Sequence, residues 1–223
     1  MNKSPKYIFC ATTKMSGAEY LADAFHLDRN FRFDGERSTN ISYPLIKNDF
    51  NSVLAQFKRN MGVIHFIDNP VYGARRLCEG GSIPGEDPDL IDFSDSKVII
   101  KPEFLKYREF QHDFYKTFWY CLEVYARSKH IISRYRNVKH YVFFSKWLLD
   151  PKEIISLMKS FGARISVKNA EFISGLYDEY GVSTSNEIIL APHNAEKMAA
   201  RFVDAFGDQF LLSKEECGQL LNL

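Results

Sequence analysis

At 223 residues and 25.9 kDa, the chain is too short for two ordinary domains with separate cores and reads as one domain spanning residues 1–223. Its 45% apolar and 26% charged content argues against wholesale disorder, and a formal net charge of +1 gives no support to a nucleic-acid partner. Cys10, Cys78, Cys121 and Cys217 are scattered with no C-x-x-C pair, so four free thiols are expected. The apolar run Tyr7–Ala11 is shorter than the core of a secretion signal. No stretch reaches the roughly 20 apolar residues of a membrane span, and the expectation is a cytoplasmic protein.

In chain order, four short apolar runs read as strands: Tyr7–Ala11, Val63–Ile67, Lys97–Ile100 and Tyr141–Phe144. None alternates polar with apolar, which is the pattern of strands covered on both faces, as in a parallel sheet between helices. A helix is expected over Ala18–Phe25, and another over Phe104–Tyr135, where Phe110, Phe114, Phe118, Cys121, Leu122 and Tyr125 recur at helical spacing. Asp150-Pro151-Lys152-Glu153 is a helix start and Gly162 its stop. Further helices are expected from about Asn169 to Tyr180 and Asn194 to Phe206, with a short one beginning at Ser213. Glu79–Ser96, rich in Gly, Pro and acids, is the one long irregular stretch, expected to be mobile and to border a substrate cleft. The alternation predicts an α/β fold of three layers: a mostly parallel central sheet flanked by helices.

Chemistry is best placed in the turn Thr12-Thr13-Lys14-Met15-Ser16-Gly17-Ala18 between the first strand and the first helix. Backbone N–H groups, a helix N-terminus and a lysine together suit a phosphate-like anion. The Walker pattern G-x-x-x-x-G-K-[ST] is absent. Ser16 and Glu19 also fit a plain capping box, which any strand–helix turn could carry. His130 and His140 sit apart, and His112-Asp113 lie beside aromatic residues, so no metal constellation is evident and no metal is expected.

Thr13-Lys14-Met15-Ser16-Gly17-Ala18-Glu19-Tyr20-Leu21 resembles the 5′-phosphosulfate loop of the sulfotransferases, T-x-(K/R)-S-G-(T/S)-T-x-L, in a degenerate form. Met15 stands where the family has its basic residue, with Lys14 one place earlier, and Ala18-Glu19 replace a hydroxyl pair. Phe118-Trp119-Tyr120-Cys121-Leu122-Glu123 is similar to the family's helix carrying Trp and an acid. Tyr141–Ile155, with Asp150-Pro151, resembles its strand and helix ending in D-P, and Leu157–Gly162 the "l-x-x-F-L-G" that follows. The likeness covers roughly residues 5–165, and the loop together with D-P-x-x-x-I is its specific part.

The resemblance implies a P-loop-like sulfotransferase fold and 3′-phosphoadenosine 5′-phosphosulfate as sulfuryl donor to a hydroxyl or amine of a saccharide or small metabolite. Thr13, Lys14, Met15, Ser16, Gly17 and Ala18 would face the phosphosulfate, with Lys14 also stabilising the transferred group. For the 3′-phosphate, the family's R-(D/N)-P has two registers here. One takes Asp68-Asn69-Pro70, with Arg75 and Arg76 supplying the charge; the preferred one takes Lys101-Pro102, because four strands then follow in the family's order. Two bases compete as well: His65, where the family's second strand ends in K-T-H-L-P, and Glu36, as in branches that use a Glu after the first helix. Against these roles stand a buried core His65, an exposed loop Glu36 and solvated Arg75 and Arg76. A non-catalytic binding protein that kept the shell but lost the cofactor, and another nucleotide or sugar transferase or kinase, are the alternatives. The acceptor and the oligomeric state are beyond the sequence.

Overall fold

The computed structural model describes residues 7–28, 41–42, 61–96, 98–136, 138–178 and 191–209. Strand β1 (Tyr7–Ala11) leads through a tight turn into helix α1 (Ala18–His26). Strands β2 (Ile41–Ser42) and β3 (Met61–Ile67) follow, then α2 (Pro70–Glu79). After the 80–112 segment come α3 (Asp113–Arg134), β4 (Lys139–Phe144), α4 (Pro151–Ser160), α5 (Val167–Leu176) and α6 (Pro192–Phe206). The strands form one parallel sheet in the order β2-β1-β3-β4, with β1 inside it as the buried apolar runs predict.

Period-two alternation of the strand side chains divides two apolar layers. Ile8, Cys10, Ile64, Phe66 and Phe143 pack with α1, α4 and α5, whereas Ala11 and Val63 pack with α2, α3 and α6. The α/β expectation with helices on both faces therefore holds. Helix ends follow local chemistry. Asn69 Oδ1 accepts from the Val71 N–H (2.8 Å) and Asp150 Oδ1 from the Lys152 N–H (2.9 Å), each with Pro in the first turn. Gly162 (φ 80°) ends α4, where the Ala163 N–H returns to Met158 O at 2.9 Å. Gly181, Ser213 and Cys217 lie outside the described residues; Cys10, Cys78 and Cys121 are free.

Two expectations are corrected. Residues 98–100 form no strand, although Val98, Ile99 and Ile100 are as apolar as any strand here. The Val98 N–H turns back to Asp95 O (3.2 Å), and α3 supplies further partners: Glu123 accepts from the Ile99 and Ile100 N–H groups (2.9 and 2.7 Å), and Trp119 Nε1–H donates to Ile100 O (2.7 Å). Arg127 then bonds both Glu123 (2.7 Å) and Asp95 (2.9 Å). Trp119, Glu123 and Arg127 are four residues apart and share one helix face, so a single stripe of α3 holds the 95–100 segment. Secondly, α3 begins at Asp113 rather than near Phe104, after two 3₁₀ turns over Glu103–Lys106 and Arg108–Phe110. The Gln111 amide bonds Leu105 O and His112 Nδ1 accepts from the Phe114 N–H, so the helix is restarted locally. Among the described residues no helix is long and apolar enough to cross a membrane.

Candidate functional site

Strand order places the site. From β1 the chain leaves through α1 on one face of the sheet, and from the adjacent β3 it leaves through α2 on the other. Open α/β sheets bind ligands in the crevice at the carboxyl ends of such a pair. One lip is the 12–17 turn, the other Asp68-Asn69.

The first lip is tightly built. Met15 (φ 59°) and Gly17 (φ 88°) both adopt left-handed backbone conformations, and Thr12 Oγ1 bonds Ser16 Oγ at 2.5 Å. Gly17 is the N-cap of α1, with no side-chain cap, so the Ser16–Glu19 capping box does not form; Ser16 Oγ instead accepts from the Ala18 N–H at 3.3 Å. A Cβ on Gly17 would stand 2.5 Å from Tyr177 Cε2. Gly17→Ala is therefore expected to cost about 2–4 kcal/mol, from left-handed strain and overpacking together. Urea unfolding measures it, and Tyr177→Leu in the Gly17→Ala background should recover the overpacking part.

Charged groups converge on this lip from three elements. Lys14 Nζ lies 2.7 Å from Asp87 and 3.9 Å from Asp89. Its ammonium holds the Asp87 carboxyl below the usual carboxylate range, helped by the Asp89 N–H and the Ser82 hydroxyl. Arg76 crosses the crevice: Nε–H donates to Met15 O at 3.0 Å, and the guanidinium is paired with Asp68 on the far lip. Asp68 also accepts from the Ser145 hydroxyl at 2.7 Å. Burial pushes its carboxyl above the ordinary value, while Arg76, Ser145 and the Asn69 N–H act the other way. Between the lips lies a cavity of about 20 Å³, lined in part by Thr13, Asp68, Asn69, Cys121 and Tyr125 and large enough for one water. Thr13 Oγ1 is buried with no hydrogen-bond partner among the described residues, an orphan that a ligand oxygen or that water would satisfy.

The candidate residues divide on placement. Thr13, Lys14, Met15, Ser16, Gly17, Ala18 and Arg76 are brought together. Arg75 turns inward to Glu79 (2.8 Å) and does not reach the crevice. Lys101 is exposed and follows the stripe-held segment, not a strand, so the reason for preferring its register is gone. Glu36 lies outside the described residues. His65 is corrected in its surroundings: it lies within β3, opposite Ala11 and Val142, and is 0% exposed. Its Nε2 is 3.0 Å from His140 Nδ1, and His140 Nε2 is 2.8 Å from Tyr135 O. The Tyr135 carbonyl can only accept, so His140 donates from Nε2 and His65 donates to His140 Nδ1. Burial, reinforced by His140, drives the His65 pKa down to about 3. It is the interior histidine of the plainer alternative. Burial likewise raises the Cys10 thiol to about 12 and pushes Cys121 upward, so neither is a neutral-pH nucleophile.

The Glu79–Ser96 stretch is better anchored than its Gly, Pro and acid content suggests. Ile83, Leu90 and Ile91 are buried, and Phe93 packs on Trp119 with ring centroids 4.9 Å apart. It borders the Lys14 lip through Asp87. Asp87, Ser145 and Tyr177 are site neighbours that sequence reasoning did not single out, and Asp68 entered it only as the residue standing in the family's Arg position. Among the described residues no group of three or more His, Cys, Asp or Glu is gathered to hold a metal ion. Comparison with protein-family models, with curated proteins and with solved structures finds no match.

Proposed function

We propose that the β1–β3 crevice binds a phosphorylated nucleotide and that the chain is a sulfotransferase-like protein. In this reading a sulfuryl group passes from 3′-phosphoadenosine 5′-phosphosulfate to a hydroxyl or amine of a saccharide or small metabolite. One observation carries it: at the switch point of a parallel sheet, a left-handed turn gathers Lys14, Ser16 and an unpartnered buried Thr13 hydroxyl, with Arg76 from the neighbouring lip. The residues fit an anion, with Lys14 and the turn's N–H groups at the phosphosulfate and Arg76 near the second phosphate. The bound donor supplies an activated sulfuryl group. The chain's part is to align it and to place Lys14 where charge grows on the leaving phosphate oxygen. The acceptor proton needs a base; the enclosed His65 does not reach one, and Glu36 is the candidate left.

A non-catalytic binding protein is the second reading, favoured by the pairing of both crevice cations with Asp87 and Asp68. Thermal-shift titration with adenosine 3′,5′-bisphosphate against ATP tests the nucleotide site. A hundredfold excess over Kd stabilises by about 2.7 kcal/mol. Lys14→Ala should weaken bisphosphate binding by about 10- to 150-fold through loss of one charge-assisted contact. Bisphosphate binding together with sulfuryl transfer selects the first reading, whereas no shift with either nucleotide overturns it and selects the second, a shell that has lost its cofactor. A shift with ATP alone points to a kinase or other nucleotide transferase.

A further inference from the structure

We infer that Asp87 is a built-in competitor for the anion crevice, a carboxylate held on Lys14 that sets which ligand charge the site accepts. This rests on the nucleotide reading above and adds to it the control of access.

Asp87 reaches Lys14 from a segment anchored by the buried Ile83, Leu90 and Ile91, so its carboxylate is presented at high local concentration. Its other oxygen accepts from the Asp89 N–H at 2.9 Å, which fixes its direction. Lys14 is half-buried, its side chain 30% exposed, and the Asp87 side chain is 14% exposed. The contact therefore lies at the crevice mouth, where an arriving anion must take it over. A carboxylate carries one charge, whereas a phosphate monoester carries about −1.5 to −2 near neutral pH. The exchange at Lys14 thus favours groups bearing about two charges, a phosphate monoester or a phosphosulfate, over carboxylates and singly charged groups. Glu86, one residue away, is 68% exposed and lies 3.6 Å from Lys116 on α3, so the same charge on the same loop serves another partner.

Calorimetric titration of the full chain with adenosine 3′,5′-bisphosphate tests this. Asp87→Asn keeps an acceptor for the Asp89 N–H and should tighten binding roughly two- to fivefold, the range of a partly exposed ion pair. Glu86→Gln, an identical change in net charge, should alter it less than about twofold. In the Lys14→Ala background the gain from Asp87→Asn should vanish, because no cation is left to free. Asp87→Ser, which also retains a side-chain acceptor, repeats the measurement if Asp87→Asn does not fold. Equal gains from Asp87→Asn and Glu86→Gln, or a gain that survives Lys14→Ala, would show a general charge effect and overturn the competitor role. A wild-type chain that binds and is weakened by Lys14→Ala, but not tightened by Asp87→Asn, overturns the competitor while the nucleotide reading stands. No binding by wild type, Asp87→Asn or Asp87→Ser overturns both.

Discussion

Glu123→Ala is expected to destabilise the fold by about 3–5 kcal/mol, the cost of breaking a buried charged cluster and leaving its partners behind. The side chain is 0% exposed, and its carboxylate serves the Ile99 and Ile100 N–H groups and the Arg127 guanidinium. Burial raises its carboxyl above the ordinary value; Arg127 and the two N–H groups oppose that and keep the charge tolerable. With the carboxylate gone, two backbone donors lose their acceptor and an arginine that is 7% exposed is left with Asp95 alone. For a chain of this length, the midpoint of thermal unfolding should fall by roughly 6–20 °C. Arg127→Ala added to Glu123→Ala should cost less than the two single changes summed, since they break one network. Strict additivity would mean that the stripe on α3 is not a unit.

Acid should destabilise the protein well above the range where carboxylates titrate. Buried neutral His65 has a pKa near 3 in the fold, against the usual value near 6.5 once unfolded. The unfolded chain therefore takes up the proton first, so stability is complete above pH ~6.5 and declines as the pH falls towards ~3. The interval corresponds to about 5 kcal/mol in all, of which about 2 kcal/mol is lost by pH ~5. Urea unfolding at these two acidities reads the loss. His65→Leu should flatten the dependence between them, at a constant cost for the donor taken from His140. A slope unchanged in His65→Leu would assign the acid sensitivity elsewhere.

Much of this architecture is legible in the chain because it is local. The runs at Tyr7–Ala11, Val63–Ile67 and Tyr141–Phe144 are apolar on both strand faces, and Asp150-Pro151 announces its helix. The start of α2 is equally local, Asn69 followed by Pro70, and is a signal that a reading of the sequence can use. Residues 98–100 are the instructive failure. Composition predicts a strand, but strands are made by backbone partners, and there the partners are a carboxylate and an indole from a helix some 20 residues onward. In the site, the Lys14 turn is recognisable, whereas Asp87 is 73 residues away from it and nothing local says the two meet. The Ser16–Glu19 pattern failed for a similar reason. Tyr177 packs against Gly17, so the turn's shape depends on a residue far downstream. His65 illustrates the ambiguity of a histidine in an apolar run, which only its enclosure and His140 resolve.

The order β2-β1-β3-β4 also governs how the chain reaches this state. β1 is joined to β3 residue by residue from Tyr7↔Met61 to Ala11↔His65, so its larger ladder closes a loop of more than fifty residues. The pairing of β4 with β3 spans a longer stretch still, with the whole of α3 between them in the chain. Every pairing is non-local, and loop-closure entropy must be met before any of them stabilises the chain, which places the protein among slow folders. During synthesis β1 emerges long before its neighbour, an apolar segment with both edges open. The Lys14 turn takes its final shape later still, once Tyr177 arrives to pack against Gly17. The crevice is thus among the last parts of the molecule to assemble.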